Sequence, residues 1–377
     1  MSAFTLQALE VTVYRAPVER PVRTAFGVMT DRPAVIVRAF GEDGTVGFGE
    51  VWCNFPECGA EHRARLVTSA LAPLAVGRPW ASPDALFHEL SDRLHKLALQ
   101  AGEPGPIAQA VAGVDIAVWD LVARRAGQPL WRLLGGEGDG RMPAYASGIN
   151  PVDSAEQALA AKAEGYLAFK LKIGFGRERD LANLQGLRAI LGDDVDLMVD
   201  ANQAWDLDEA IAMSALLAPF GPVWLEEPLP ADSPIDAWKT LAKASPIPLA
   251  AGENLRGKVA FDAAIASGAF AVIQPDLAKW GGFSAGLPLA RSIMAAGLRY
   301  CPHYLGGGIG LLASAHLLAA TGGDGVLEID SNPNPLRQGL AQPFPLLNSG
   351  ALALADRPGL GVEPDPSLRD FMVASVK

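Results

Sequence analysis

Six charged or proton-carrying side chains recur at a near-constant interval along the second half of this 377-residue chain. Consecutive members lie 28, 26, 27, 23 and 27 residues apart, and the six are Lys172, Asp200, Glu226, Glu253, Asp276 and His303. Three carboxylates stand in a row, with a lysine before them and an aspartate and a histidine after them. This order suggests a metal ion flanked by two bases.

The three carboxylates, Asp200, Glu226 and Glu253, predict a magnesium site. Carboxylates that converge in one pocket repel each other unless a cation neutralises them, and hard oxygen ligands favour Mg²⁺ over zinc. The alternative, for any one carboxylate alone, is that it caps the following helix or pairs with an arginine. Glu227 directly follows Glu226, so we expect it to point to the other side of the strand, outside the metal shell. Asn202 faces the same way as Asp200 and is a candidate ligand of the substrate or of a metal-bound water.

Lys170 and Lys172 are separated by one residue, so both point to the same side of a strand. Two ammonium groups near a dication each favour the neutral form of the other, which lowers the pKa toward the range of a general base. Exposed lysines on an edge strand are the alternative, but apolar neighbours such as Phe169 and Leu171 predict a buried strand.

His303 and Asp276 form the second candidate base. A carboxylate that holds one imidazole nitrogen fixes the tautomer and keeps the other nitrogen as a base. The remaining histidines have no such place in the repeat and are expected to be structural or solvated: His62, His88, His95 and His316.

The interval of the six residues predicts the scaffold that carries them. Each residue ends a short apolar run, and helix-like sequence fills most of the gaps, so the interval fits successive βα units. In a closed parallel barrel the C-terminal ends of all strands converge on one mouth, where catalytic groups collect. We therefore predict an α/β barrel with eight strands, at 144–149, 168–173, 195–201, 223–227, 248–253, 271–275, 298–303 and 326–329.

Local signals support several of the helices between these strands. Ser154, three residues before Gln157, predicts a capping box at the start of one helix, and Asp206, three residues before Glu209, predicts another. The proline-rich stretch 332–335 disfavours a helix after the eighth strand, so the eighth helix is expected to be missing.

The first third of the chain is organised differently. Residues 4–14 and 34–51 predict strands, with a hairpin turn at 41–44, and helical sequence follows up to about residue 126. We predict an α+β domain over residues 1–127 and the barrel over 128–345. Residues 346–377 are rich in proline and glycine, and either pad the barrel or return to the first domain.

The composition of the chain disfavours some classes of binding partner. Lys and Arg total 31 against 42 Asp and Glu, a net charge of −11, which disfavours binding to nucleic acid. No signal peptide and no charge-free apolar run of 18 residues is apparent, so we expect no membrane partner. Cys53, Cys58 and Cys301 are odd in number and lack zinc spacing, which is typical of a cytoplasmic protein with reduced thiols.

At this point the chain resembles a known family, the mandelate racemase/muconate lactonizing enzyme family of the enolase superfamily, in its mandelate racemase subgroup. The resemblance extends over essentially the whole length. It is specific because many short motifs occur in the same order: Gly47-Phe48-Gly49-Glu50, Ala117-Val118-Trp119-Asp120, Lys170-Leu171-Lys172, Asp200-Ala201-Asn202, Glu226-Glu227-Pro228, Gly252-Glu253-Asn254, Pro275-Asp276, Lys279-Trp280-Gly281-Gly282, His303 and Glu328.

The resemblance implies a fold and a set of roles. The fold is a modified (β/α)₇β barrel of the TIM type, with an α+β capping domain that the C-terminal segment 346–377 rejoins. Asp200, Glu226 and Glu253 would bind Mg²⁺, and Lys172 and the Asp276–His303 pair would be opposed bases. Lys170 and Glu328 would contact the substrate carboxylate. In this superfamily a Lys or His base works with Mg²⁺ that stabilises an enediolate.

The implied reaction is removal of the proton α to a carboxylate, which leaves two outcomes open. If the second base returns the proton on the opposite face, the result is racemisation or epimerisation of a 2-hydroxy acid. If instead it protonates a leaving β-hydroxyl, an acid sugar (an aldonic or aldaric acid) is dehydrated to a 2-keto-3-deoxy acid. By analogy with the subgroup we expect the dehydratase, with the racemase and a non-catalytic metal-binding relative as alternatives.

Substrate choice is expected to lie with two loops of the capping domain and with the first barrel strand. The candidate contacts are Arg23, Phe26, Trp52, Asn54 and Phe55 in the loops, and Tyr145, Ser147 and Asn150 near the strand's end. For each loop residue an ordinary loop or core contact is the alternative. The expected partner is a small-molecule carboxylate, and the expected assembly is a homo-oligomer.

Overall fold

A computed structural model of the chain describes residues 3–24 and 27–376. The N-terminal part is a cap in which an antiparallel sheet packs on helices. Its strands are β1 (Phe4–Thr24), β2 (Gly27–Gly41), β3 (Val46–Val51) and β4 (Pro79–Trp80). Its helices are α1 (Gly59–Leu66), α2 (Ala72–Ala75), α3 (Pro83–Gln100) and α4 (Pro104–Arg125), with a π-helical stretch, Val67–Leu71, between α1 and α2.

Alternate side chains of β2 belong to two different hydrophobic cores. Val35 and Val37 face the cap helices and belong to the core of the cap, whereas Ala34 and Ile36 face the barrel and belong to its core. Because successive residues of a strand point to opposite faces, β2 contributes side chains to both cores. The cap therefore lies on the barrel through a continuous apolar layer.

Helix α4 packs against β3 at unusually close range. An added Cβ would lie 2.1 Å from the Ala117 carbonyl oxygen at Gly47, and 2.1 Å from the Gly113 carbonyl oxygen at Gly49. Only glycine permits this approach. Of the helices described, α4 alone is long and apolar enough to meet the criteria for a membrane span, but 89% of its apolar window is buried inside the protein. Its hydrophobicity is accounted for by this core position.

The barrel contains the eight predicted strands, all parallel. They are β5 (Arg141–Ile149), β6 (Ala168–Lys172), β7 (Asp196–Asp200), β8 (Leu225–Glu226), β9 (Leu249–Ala251), β10 (Val272–Ile273), β11 (Arg299–Tyr300) and β12 (Leu327–Asp330). Strands β5 to β11 pair in chain order, and β12 pairs with β5. Next to β12, an added Cβ on Gly325 would lie 2.3 Å from the Tyr300 carbonyl oxygen, so the eighth strand also approaches β11.

Helices follow each barrel strand, and the (β/α)₇β architecture requires this for the first seven. After the short α5 (Leu130–Leu133) they are α6 (Ser154–Ala163), α7 (Arg177–Leu191), α8 (Leu207–Leu217), α9 (Ile235–Ala244), α10 (Lys258–Ala266), α11 (Gly282–Ala295), α12 (Gly308–Thr321) and α13 (Pro335–Gly339). The last is a five-residue helix, so the eighth helix is reduced to little more than one turn rather than missing.

The C-terminal segment contacts both parts of the molecule. Strands β13 (Leu347–Asn348) and β14 (Ala351–Ala353) form a small hairpin, and β14 pairs with the start of β5. After a 3₁₀ helix, Pro366–Phe371, strand β15 (Met372–Val376) pairs antiparallel with β1 of the cap. The exact domain boundaries stay a prediction.

His316 on α12 is a buried histidine that packs as part of the core. Its Nδ1 accepts a hydrogen bond from the Trp131 backbone N–H at 3.1 Å, and its Nε2 lies 3.2 Å from the Leu360 carbonyl oxygen. Nδ1 is therefore the acceptor and Nε2 carries the hydrogen, so the ring is neutral. Burial lowers the pKa of His316 from 6.5 to about 4.

We expect this histidine to make the fold acid-sensitive. As the pH falls below 6.5, the unfolded chain binds the proton first, so stability is lost between about pH 6.5 and pH 4, by about 3 kcal/mol in all. His316→Gln removes the titration. Urea unfolding midpoints of both proteins at pH 7 and pH 4 test this, because the wild type should lose more stability than the variant. Equal losses in the two proteins would contradict it.

Candidate active site

The six residues of the sequence repeat lie at or just beyond the C-terminal ends of consecutive barrel strands. Lys172, Asp200 and Glu226 end β6, β7 and β8, and the pairing register places Lys172 beside Asp200 and Asp200 beside Glu226. Glu253, Asp276 and His303 follow β9, β10 and β11 by two or three residues. A cleft of about 270 Å³ opens at this end of the barrel, and Lys172, Glu253 and His303 line it.

Each predicted metal ligand is paired with a basic side chain. Lys172 Nζ lies 2.5 Å from Asp200 Oδ2, and Lys170 Nζ lies 2.6 Å from Glu226 Oε1. Glu253 Oε2 lies 2.6 Å from the Nε2 of His303. Among the described residues, no group of three or more His, Cys, Asp or Glu side chains is arranged to hold a metal ion. The carboxylates turn toward these bases rather than toward a common point.

The charge balance of the cluster nevertheless fits a divalent cation. Six carboxylates meet here, buried or nearly so: Asp200, Glu226, Glu227, Glu253, Asp276 and Glu328. Four basic groups oppose them, Lys170, Lys172, Lys279 and His303. If all six carboxylates are ionised and all four bases protonated, two negative charges remain uncompensated, and the available donors are hard oxygens. Burial, partly offset by Lys170, raises the pKa of Glu226 to about 7, as expected where a positive charge is lacking.

Lys172 does not have the lowered pKa that the sequence predicted. Burial alone would lower the pKa of Lys172, and Lys170 acts in the same direction, but the surrounding carboxylates, Asp200 first among them, together raise it. The sequence-based expectation assumed a dication beside the two lysines, so a lowered pKa stays a prediction for the metal-bound site. A cation bound to Asp200 would remove that effect.

His303 is held from both nitrogens. Its Nδ1 lies 2.9 Å from Asp276 Oδ2, while Asp276 Oδ1 accepts backbone N–H bonds from Ala278 and Lys279 at 2.9 and 3.1 Å. Burial would lower the pKa of His303, but Glu253 and Glu328 raise it to about 10, so the imidazole is protonated here. In this state its Nε2, which lies 2.6 Å from Glu253 Oε2, carries a proton at the wall of the cleft.

Glu227 does not lie where the sequence predicted. Its φ is 39°, in the left-handed region, because β8 ends at Glu226 and the alternation of the strand stops there. Asn254 Nδ2 donates to both Glu227 oxygens, at 3.1 and 2.9 Å, and to Glu253 Oε1 at 2.9 Å. Glu227 therefore lies beside Glu253 instead of on the other side of the strand. Burial and the Glu253 carboxylate raise the pKa of Glu227 well above its usual value.

Lys170 and Glu328 form a buried pair beneath the cleft. Lys170 Nζ lies 2.6 Å from Glu328 Oε1, and the Ser147 hydroxyl donates to the same oxygen at 2.6 Å. Although burial alone would raise it, the pKa of Glu328 is lowered to about 2 by Lys170 and His303. Ser147 is fully buried and is therefore a partner of Glu328 rather than part of the cleft wall.

Tyr145 is likewise a core residue and not a wall of the cleft. Its ring packs edge-to-face on Trp224 at 5.7 Å between centroids, and Lys170 Nζ lies 5.5 Å from the Tyr145 centroid. Sequence alone placed Tyr145 on the right strand, but depth along the barrel axis decides whether a side chain reaches the mouth.

The cap contributes one side of the cleft. Trp52, Asn54 and Phe55 line it as predicted from their position, and Asn202 lines it from the barrel side. Phe26 lies outside the described residues, and so does the side chain of Arg23. Lys279 Nζ lies 4.9 Å from the Trp52 ring centroid and 3.4 Å from Glu253 Oε1, so the cap and the barrel meet at the rim.

An ion pair that the sequence did not reveal lies in the wall of the cleft. Arg32 of β2 pairs with Asp330 at the end of β12, and both side chains are about 95% buried. Arg337 Nη1 also contacts the Asp330 carbonyl. Asp330 lies two residues after Glu328 and therefore on the same side of the strand, a signal that was present in the sequence. Nothing in the sequence indicated its partner.

Amide side chains are the most common polar groups around the cleft. Those that line it are Asn54, Asn150, Asn202, Gln203, Asn254 and Asn332. Since an amide both donates and accepts hydrogen bonds, such a wall suits hydroxyl groups, which do the same.

Comparisons with known proteins agree with this geometry. The sequence profile described as "Mandelate racemase / muconate lactonizing enzyme, N-terminal domain" matches residues 8–135, and that described as "Enolase C-terminal domain-like" matches residues 153–368. D-galactarolactone cycloisomerase of Agrobacterium fabrum is 34% identical over 361 residues, 92% of each chain.

Two solved structures are also similar. A mandelate racemase/muconate lactonizing enzyme from Bordetella bronchiseptica is 53% identical, with a TM-score of 0.93 over 98% of this chain and 100% of the other. L-talarate/galactarate dehydratase from Salmonella typhimurium, liganded with Mg and L-lyxarohydroxamate, is 26% identical, with a TM-score of 0.88 over 100% and 94%. The chain belongs to the mandelate racemase/muconate lactonizing enzyme family of the enolase superfamily.

Proposed function

We propose that this chain is a magnesium-dependent enzyme that removes the proton α to a carboxylate and dehydrates an acid sugar to a 2-keto-3-deoxy acid. The observation that carries the proposal is that Lys172 and the Asp276-bound imidazole of His303 line the same cleft. They come from strands β6 and β11, which lie three strands apart around the barrel. Two proton-transfer groups thus reach one small volume from different sides.

Each residue of the site has its own role in the proposed reaction. Lys172 takes the α-proton, and Lys170, buried beside Glu328 beneath the cleft, supplies positive charge below the substrate carboxylate. Magnesium, when bound to Asp200, Glu226 and Glu253, supplies positive charge to the carboxylate oxygens as the proton leaves. His303, whose Nδ1 is held by Asp276, then gives its proton to the departing β-hydroxyl.

The substrate class follows from the walls of the cleft. A row of amides suits several hydroxyl groups, and relatives whose names contain galactonate, arabinonate and galactarate act on acids of this kind. Assembly into a homo-oligomer and a cytoplasmic location remain predictions.

A racemase is the second candidate, because two groups on different sides of a cleft can also remove and return the same proton. A curated relative, N-succinyl-L-Arg/Lys racemase of Bacillus cereus, is 26% identical over 299 residues. The two reactions differ in whether the β-hydroxyl of the substrate is eliminated.

One screen separates these functions. The protein with Mg²⁺ is incubated with aldonic and aldaric acids, their lactones and simple 2-hydroxy acids, and both 2-keto acid formation and optical rotation are followed. We expect 2-keto acid from at least one acid sugar, and none from Lys172→Ala. A change in rotation without 2-keto acid would favour the racemase, and no change with any acid would contradict both proposals.

A further inference from the structure

The loop that carries His303 into α12 is attached to the cap at three points. Glu50, the penultimate residue of β3, accepts hydrogen bonds from the backbone N–H groups of Gly307 at 2.6 Å and Gly310 at 2.8 Å. Asn54 in the next loop donates from Nδ2 to the Leu305 carbonyl oxygen at 2.6 Å. The cap thus binds the chain two, four and seven residues after His303.

Burial and hydrogen bonds fix the position of the Glu50 side chain. The side chain is only 2% exposed, and its carboxylate meets the N-terminus of α12, where free N–H groups and the helix dipole favour a negative charge. A Cβ on Gly307 would lie 2.6 Å from Glu50 Oε1, so a side chain there would displace the carboxylate. The contact is therefore a specific one between two domains.

The two proton-transfer groups differ in how they are held. Lys172 lies within β6, between β5 and β7, and its Nζ contacts Asp200 on β7, so the barrel itself positions it. His303 lies beyond the end of β11; the barrel holds its backbone N–H, which donates to the Pro275 carbonyl oxygen at 3.2 Å, and its ring, through Asp276, but the cap holds the next residues of its loop. A shift of the loop would move the imidazole and leave the lysine in place.

We propose that Glu50 is a positioning residue for His303, with Asn54 in a supporting role, so that the cap controls one of the two proton-transfer steps. The role assigned to His303 rests on the proposed function. A misplacement of about 1 Å can cost about 100-fold in a catalytic step. Loosening the loop should therefore slow the step that needs His303 and spare the one that needs Lys172.

Glu50→Gln tests this with the full-length protein in Mg²⁺. Product formation from an acid sugar that the wild type consumes, beginning with galactonate, should fall about 100-fold. Exchange of the α-proton for deuterium in D₂O, which needs Lys172, should stay within about threefold of the wild-type rate. Gly307→Ala, whose added methyl group would displace the Glu50 carboxylate, should show the same pattern and covers the case in which Glu50→Gln does not fold.

Asp120→Asn is the matched control. Asp120 is also a buried cap carboxylate that accepts two backbone N–H bonds, from Phe48 at 2.8 Å and Leu360 at 2.6 Å, but neither belongs to the His303 loop. This variant should not change the ratio of exchange to product formation. An equal fall of both rates in Glu50→Gln, or the same altered ratio in Asp120→Asn, would overturn the proposal.

Two measurements need no substrate. In Glu50→Gln, amide hydrogen exchange over residues 303–310 should become faster, and the imidazole NMR signals of His303, assigned by their loss in His303→Asn, should shift. If loop exchange and imidazole signals are unchanged, Glu50 does not position His303. If both change but no acid is consumed even by the wild type, the positional link stands and the proposed function fails.

Discussion

Lys172→Ala and His303→Asn should each lower turnover of the true substrate by about 10³-fold, yet block different steps. Lys172 is the group assigned to the α-proton, and His303 is the group assigned to the leaving hydroxyl. His303→Asn should therefore still exchange the α-proton for deuterium without forming product, whereas Lys172→Ala should do neither. Proton NMR of the substrate in D₂O, together with a 2-keto acid assay, measures both steps.

The same pair of variants identifies a racemase. Each variant then keeps a base on one face of the α-carbon, so each should exchange the α-proton of one enantiomer only. The outcome against the mechanism is exchange at the wild-type rate, for both enantiomers, in both variants. In that case neither residue is the base.

Removal of the metal, or of one of its ligands, should have an effect of similar size. EDTA should abolish activity, and Mg²⁺ should restore it. Glu226→Gln removes the charge of one proposed ligand from the carboxylate cluster, so Mg²⁺ affinity and turnover should both fall, turnover by about 10³-fold. Isothermal titration with Mg²⁺ and steady-state rates measure the two effects, and circular dichroism checks folding.

Glu227→Gln is the control for this prediction. It alters the next residue, also buried, whose carboxylate accepts from Asn254. If Glu227 is outside the metal shell, its change should cost about 10- to 100-fold, less than the change of Glu226. Full activity after verified removal of metal would contradict the magnesium site, and an equal loss in Glu227→Gln would contradict the choice of ligands.

The sequence predicted the barrel and its mouth well because one geometric rule governs both. A βα unit returns the chain to the same end of the barrel, so residues spaced by about 27 positions in the sequence meet in space. The rule fixes which end a residue reaches, and so it placed Lys172 and His303 correctly at the mouth. It does not fix depth, which is why Tyr145 and Ser147 were assigned to the cleft although both are fully buried.

Local signals were reliable only where no other partner competed. Asp206 caps α8 as predicted, accepting from the Glu209 N–H at 2.9 Å. Ser154, in contrast, lies inside α6 and donates to Asn183 at 3.1 Å, while Gln157 accepts from Asn150, so the predicted capping box is wrong. Both residues form hydrogen bonds with other side chains instead, and the local sequence pattern does not reveal those partners.

Contacts between the cap and the barrel could not be predicted from the sequence at all. Glu50 and Gly307 are 257 residues apart, and Arg32 and Asp330 are 298 apart. No periodicity links such positions, because their meeting depends on how two separately patterned domains dock. These are the contacts that shape the cleft.

The buried pair of Arg32 and Asp330 also limits how specificity can evolve in this protein. Loss of either partner alone leaves a charge without compensation in the protein interior, at a cost of about 3–5 kcal/mol, whereas joint replacement by apolar residues can be neutral. Single substitutions at the two sites should therefore be strongly epistatic, although one lies in the cap and the other in the barrel. A mutational path to a new substrate that passes through either site has to change both, so a library that varies one domain at a time will miss it.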